Sequence, residues 1–463
     1  MMNTFKTYSP IDNSVYVERA FSSESEVRKT LDNARRAQKQ WQKIPLETRQ
    51  QYCTRAMDAL VAKKAILAKE LCWQMGRPIQ YAEGEVKGVE ERARYMIAAA
   101  PEALQAISLP QKQGFNRYIK REPLGVALVI APWNYPYLTA INAIIPAILA
   151  GNSVILKHSI QTPLVAERFA EAFFDADLPD GVFQYLHLTH QDTEKVIQAP
   201  EIQYVSFTGS VTGGKMVEKA AAGRFLHVGL ELGGKDPAYI RDDADLDSAV
   251  ATVVDGAFFN SGQSCCGIER IYVHRDIYKT FIDKAVSLTH QYILGRPDDP
   301  QTTLGPMVRA DSADFVRQQI NEALRDGAKV HIQSADYILD KPGSAYLSPQ
   351  ILTEVNHQMR VMTEESFGPV VGVMPVAHDE EAIALMNDSE YGLTASVFTK
   401  DIEAGIAIGN RLETGTFFIN RCDYLDPSLA WTGVKNSGRG CSLSRIGFES
   451  LTRPKSFHIK LPE

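Results

Sequence analysis

Apolar positions recur every three to four residues from Ser22 to about Leu71, through Val27, Leu31, Ala34, Ala37 and Trp41. This spacing predicts a helical front end, broken at Ile44-Pro45 and resumed through "ALVAKKAILAKEL". Further along the period changes. "GVALVIAP" (125–132), "NSVILK" (152–157) and "YVSFTG" (204–209) are short continuous apolar or β-branched runs, and helical stretches separate them. Strands buried on both faces have this character, so a parallel sheet covered by helices on both sides is expected. The alternation resumes after Glu231 with "AYI", a helix from Asp245, a strand "IYVH" (271–274) and a helix from Asp276. A second α/β unit follows, with the turn "ELGGKDP" near residue 233 as the expected boundary.

Composition narrows the function classes. A chain of 463 residues with 44% hydrophobic content has room for two or three domains. The net charge of -7 is spread along the chain, which excludes a nucleic-acid footprint and a polybasic membrane anchor. No signal-like apolar core occurs at the N-terminus and no run approaches about 18 apolar residues, so a cytoplasmic protein is expected. The six cysteines form neither a disulfide framework nor metal-ligand spacing, so no metal is expected and any special cysteine is chemical.

Several residues stand where chemistry can occur. The first sheet has no GxGxxG after a strand, but "YVSFT" runs into "GSVTGGK", whose free backbone N–H groups at a helix start suit a pyrophosphate. Lys157 closes a strand at the carboxyl edge, where ligands of doubly wound sheets gather. Asn134 in "APWNYP" can donate an amide to an oxyanion, and Glu231 in "VGLELGGK" can act on water or on a thiol. "NSGQSCCGIER" (260–270) places Cys265 and Cys266 in a polar, glycine-flanked loop before a strand. Taken singly, each is more often a turn residue, a solvated side chain or a buried thiol.

Their joint order changes the reading. "APWNYP", "NSVILK", "FTGSVTGG", "LELGGKDP", "NSGQSCC", "EESFGPV" and "GVKNSGRG" occur in the order and spacing of the aldehyde dehydrogenase superfamily, which the chain resembles over nearly its whole length. The resemblance implies two doubly wound parallel α/β domains, a Rossmann-like cofactor domain (1–107 and 124–233) and a catalytic domain (234–435). A small β oligomerisation arm (108–123 and 436–463) would build a homodimer or homotetramer, with "GFNRYIKREP" and "KSFHIKLP" as its strands. It also implies NAD or NADP as cofactor and a small-molecule aldehyde as substrate, with neither nucleic acid nor membrane as partner.

Residue by residue, the family's nucleophile matches Cys265, two places after Gly262-Gln263, and its general base matches Glu231. The thiolate attacks the aldehyde to form a thiohemiacetal, the Asn134 amide and the Cys265 N–H hold the oxyanion, and water activated by Glu231 hydrolyses the thioester. A carboxylate at Glu231 favours the free acid over transfer to coenzyme A. Lys157, Ser159, Trp133, Gly209, Ser210, Leu232, Glu365 and Phe367 match cofactor positions, and Lys157 is also counted with the catalytic set. Ile160 stands where NAD-using members often carry a glutamate, so NADP is permitted. Succinate-semialdehyde members commonly place arginines at the positions of Asn142 and Phe259, and both are absent. Tyr135, Leu138, Asn142, Phe259, Ser264, Cys266, Leu425 and Trp431 suggest a tunnel for a neutral aliphatic or aromatic aldehyde, with Arg421 left to hold a carboxylate in the alternative of a semialdehyde. A thiol esterase is the remote alternative, and Cys266 is a pocket-wall residue able to capture an oxidised Cys265.

Overall fold

The computed structural model describes residues 3–462; residues 1, 2 and 463, the ends of the expected segments 1–107 and 436–463, lie outside it. Two sheets dominate. In the first, Val126–Ala131 (β1), Ser153–His158 (β2), Phe183–Tyr185 (β3), Ile202–Thr208 (β4) and His227–Glu231 (β5) are parallel, in the order β5-β4-β1-β2-β3. Gly438–Arg439 pairs antiparallel with β5, so the expected arm segment 436–463 also closes this sheet. Every residue of β1 and β2 is buried, which is why neither shows the apolar-polar alternation of a half-exposed strand. Ala127, Val129 and Ala131 enter one apolar cluster while Val126, Leu128 and Ile130 enter another, the period-two division of a sheet covered on both faces.

The second sheet contains Asp236–Ile240 (β6), Ile268–His274 (β7), Gln350–Thr353 (β8), Val370–Val376 (β9), Thr394–Phe398 (β10) and Thr416–Ile419 (β11). Its order is β8-β9-β7-β6-β10-β11, all parallel, with Lys329–Val330 antiparallel at the β8 edge. β5 ends and β6 begins on either side of Gly233-Gly234. Elsewhere Phe115–Pro123 pairs antiparallel with Thr452–Lys460, and Ile107–Ser108 adds a third strand.

Four helices matter to the site: Ile79–Leu104 (α1), Pro136–Ala150 (α2), Val211–Ala221 (α3) and Leu246–Phe258 (α4). The Ser210 hydroxyl caps α3 by accepting from the Gly213 N–H at 3.1 Å, and Asp245 caps α4 through the Ser248 N–H at 3.2 Å. α1 is a difference from the sequence reading, which ended the helical region near Leu71. Its 26 residues include Gly84, Gly88 and a run of charges, and two of the charged side chains, Glu85 and Arg92, are buried. A polar residue on an inward face breaks the apolar period that reveals a helix. The hairpin Thr4–Tyr8 with Val15–Ala20 was likewise unexpected. Among the described residues, no helix is long and apolar enough to cross a membrane.

Candidate active site

The carboxyl ends of β1, β4 and β5 meet loops that precede the amino ends of β6, β7 and β9. Two cavities open there. A cleft of about 440 Å³ is lined by residues 132–134, 208–210, 231–233 and 365–367, among others. A tunnel of about 310 Å³ runs past Tyr135, Leu138, Phe259 and Leu425. Cys265 and Thr139 line both.

Hydrogen bonds fix the loop that carries Cys265. The Asn134 carbonyl accepts from Arg77 Nη2 at 2.7 Å and from Asn260 Nδ2 at 3.2 Å. The Gln263 carbonyl accepts from both Asn134 Nδ2 and Asn260 Nδ2, each at 3.2 Å. One Asn134 amide hydrogen is thereby held, and Nδ2 has no second acceptor among the described residues. Arg77 pairs with the buried Glu85, which also accepts from the Tyr137 N–H at the start of α2 at 2.8 Å. Asn260, Ser261 and Gly262 all have positive φ, and a Cβ on Gly262 would strike the Gly368 carbonyl. The loop is therefore both strained and held from several sides.

On the cleft side Glu231 is the last residue of β5, and Thr208 Oγ1 donates to its Oε2 at 3.3 Å. Burial raises its carboxyl above the ordinary value, against the opposing pull of Arg92 and Thr208. Glu365 accepts from the Gly234 N–H at 3.1 Å, and burial, reinforced by Glu269, pushes it up to about 8. A Cβ on Gly233 would occupy the space of the Glu365 carboxylate, and one on Gly234 would strike the Cys265 carbonyl. Phe367 holds a positive φ of 51°, its N–H donates to Glu269 at 2.9 Å, and its ring meets Trp133 edge-on at 5.7 Å. Glu269 in turn pairs with the fully buried Lys235 at 2.5 Å. Gly209, Ser210 and Leu232 complete this wall.

Lys157 and Ser159 do not line the cleft itself. Lys157 is buried at the end of β2 without a hydrogen-bond partner among the described residues, and burial lowers its ammonium to about 8. The Ser159 hydroxyl accepts from the Gln161 N–H at 3.2 Å, and Ile160 is 43% exposed.

Three expected tunnel residues stand elsewhere. Asn142 is buried behind the wall, where its Oδ1 accepts from Arg92 Nη1 at 3.2 Å. Trp431 packs behind the wall against Leu393, Leu443 and Cys266. Arg421 is exposed, with its guanidinium 3.6 Å from the Tyr424 ring centroid, and does not line the tunnel. Tyr135, Leu138, Phe259, Ser264, Cys266 and Leu425 do line it, and with them Arg92 and Asp423, which the sequence reading missed. Asp423 Oδ1 accepts from Cys266 Sγ at 2.9 Å and Ser264 Oγ at 3.1 Å. Burial pushes this carboxyl up to about 6, and Asp423 has a positive φ of 47°.

Comparison with known proteins decides the family, since the model of the aldehyde dehydrogenase family matches residues 1–457. The chain belongs to the aldehyde dehydrogenase family. A succinate-semialdehyde dehydrogenase [NADP(+)] of Deinococcus radiodurans is 34% identical over 451 residues, 97% of this chain and 94% of the relative. A betaine aldehyde dehydrogenase of Rhizobium leguminosarum bv. trifolii is 33% identical over 435 residues, 94% and 89% of the two chains. The crystal structure of an NAD-dependent aldehyde dehydrogenase from Sinorhizobium meliloti superposes with a TM-score of 0.95 at 30% identity, covering 100% of this chain and 92% of that one. This aldehyde dehydrogenase is accordingly an NAD(P)-dependent oxidoreductase with two parallel α/β sheets. Arg77 and Glu85, which hold its Asn134 loop, carried no recognisable sequence signal, since a buried Arg-Glu pair eight residues apart gives none; Asn260 opens the "NSGQSCC" motif but was given no role.

Proposed function

We propose that this aldehyde dehydrogenase converts a small aldehyde to its carboxylic acid with Cys265 as nucleophile, the tunnel as aldehyde site and the cleft as cofactor site. The observation that carries the reading is the position of Cys265 on the shared wall of both cavities, with Asn134 and Glu231 on its cleft side. The cleft suits a dinucleotide: it has a helix N-terminus at Ser210, a buried acceptor in Glu365 for ribose hydroxyls, and a floor at Gly233 that a side chain would fill. Bound there, NAD or NADP supplies the hydride acceptor. Lys157 and Ser159 stand close in sequence to Ile160, whose apolar side chain places no carboxylate against a 2'-phosphate, so both cofactors are accepted.

The chain's own residues do the rest. Cys265 Sγ bonds to the aldehyde carbon, and the free N–H of the Asn134 amide, with the Cys265 N–H, holds the oxygen as it gains charge. Re-forming the C=O bond expels the aldehyde hydrogen as hydride, which the bound dinucleotide would accept, and leaves a thioester on Sγ. Glu231 takes a proton from the water that attacks it, and a carboxyl raised by burial is a stronger base than an exposed one. Tyr135, Leu138, Phe259 and Leu425 grip the aldehyde's apolar body. The pair Phe115–Pro123 and Thr452–Lys460 offers edges through which two or four copies assemble.

Aldehydes assayed with NAD and with NADP test the reading by the absorbance of the reduced nicotinamide. Cys265→Ala is expected to abolish the signal with both cofactors. Full activity in that variant would refute the assignment.

A further inference from the structure

The tunnel holds one cation, and it is deeply placed. Arg92, on α1, is only 9% exposed and lines the same cavity as Cys265. Its Nη1 donates to the Leu138 carbonyl at 3.1 Å and to Asn142 Oδ1 at 3.2 Å, both on α2. Nε and Nη2 have no acceptor among the described residues, and no carboxylate pairs with the guanidinium. A guanidinium keeps its charge at any working pH, and burying one with donors unmet is costly. Three carboxylates share the tunnel, and neither they nor the buried Glu231 and Glu85, whose charges reach Arg92 across a longer gap, lie within ion-pair distance of the guanidinium. Asp423 Oδ1 is occupied by Ser264 and Cys266, while Glu91 and Asp255 are exposed to solvent.

Asn142 is the informative neighbour. On α2, its amide oxygen holds an arginine delivered from another helix, α1.

We propose that Arg92 anchors a carboxylate on the substrate, so that the preferred aldehydes are semialdehydes of short dicarboxylic acids. The fork of free Nε and Nη2 donors matches the two oxygens of a carboxylate. Arg92 and Cys265 line the same tunnel of about 310 Å³ and are near enough for their charges to interact, which favours a short carbon chain between them. This inference rests on the function proposed above, which left the substrate's tail open.

The test compares succinate semialdehyde with butanal, which has the same chain length and a methyl group in place of the carboxylate. The wild type is expected to favour the semialdehyde in kcat/KM, and Arg92→Met to lose about 100-fold on it, mostly through KM. Butanal turnover in that variant is expected to fall at least about tenfold less than semialdehyde turnover, with Arg92→Lys keeping part of the preference. Equal losses on both aldehydes, or no wild-type preference, would overturn the proposal by showing a purely structural arginine. A second measurement does not need oxidation: succinate should protect Cys265 from iodoacetamide in the wild type and fail to do so in Arg92→Met. Protection without oxidation of any aldehyde would keep the anchor and defeat the proposed function. Absence of protection in the wild type would defeat the anchor.

Discussion

The two cavities that meet at Cys265 are built by different means. The cleft is framed by backbone, strand ends, a helix start and glycines that leave room, with Gly233 and Gly234 fitting only because they lack a Cβ, and Trp133, Glu231, Glu365 and Phe367 project into that frame. The tunnel is made of side chains drawn from α1, α2, α4 and the 423–425 loop. A surface formed by backbone changes little when side chains are exchanged, whereas one formed by side chains can be rebuilt at each position. The difference assigns cofactor and shared chemistry to one side, and substrate choice to the other.

That division can be broken most severely at Glu231. Glu231→Gln keeps the shape of the cleft and the Thr208 contact but removes the base, so steady turnover is expected to fall by about 1,000-fold. A first turnover of reduced cofactor should survive, because thioester formation does not use the carboxylate. The pH profile gives the sign. Burial raises Glu231 above its ordinary 4.5, so the carboxylate form is lost as pH falls through that raised value. Turnover should decline on an acid limb above pH 4.5. A limb that stays in place in Glu231→Gln would show that another group titrates.

A more selective break is Gly233→Ala. The new methyl group enters the space of the Glu365 carboxylate, so cofactor affinity is expected to weaken by at least about tenfold. Alkylation of Cys265 by iodoacetamide in the absence of cofactor should stay within about threefold, because the tunnel is untouched. Titration of NAD and NADP by the quenching of tryptophan fluorescence, Trp133 lying in the cleft wall, measures the first quantity. Unchanged affinity would mean that the cleft accommodates the methyl group and that backbone space does not define the cofactor site.

The same contrast explains what could be read from the sequence. The cleft was legible because each wall segment is a short contiguous motif: "FTGS" at the end of β4, "LELGG" after β5 and "EESFGP" before β9. Both α/β units were visible as changes of period for the same local reason. The tunnel was not. Arg92 sits in "VEERARY", which reads as a solvated helix face, and it is buried only because α1 packs against α2. Asp423 reaches the tunnel through a left-handed backbone turn that an aspartate in "RCDYLD" does not announce. Arg421, two residues away and equally charged, faces outward over Tyr424.

Cys266 should produce the smallest effect, because it belongs to the tunnel wall by position and to neither cavity by chemistry. Its thiol donates to Asp423 and lies 3.6 Å from Ser264 Oγ, and contact with Cys265, burial and Asp423 all keep it protonated. A serine hydroxyl can make the same donation in slightly less volume, so Cys266→Ser is expected to change kcat/KM by less than about threefold. A redox partnership with Cys265 meets a covalent obstacle. Consecutive Cα atoms across a trans peptide are about 3.8 Å apart, and disulfides usually need at least about 4.4 Å. Capture of an oxidised Cys265 therefore requires this strained loop to distort. After peroxide treatment, activity restored by reductant should be the same in Cys266→Ser as in the wild type. A variant that loses more activity irreversibly would establish that the loop does open, and would give the second thiol a protective role that its hydrogen bonds do not suggest.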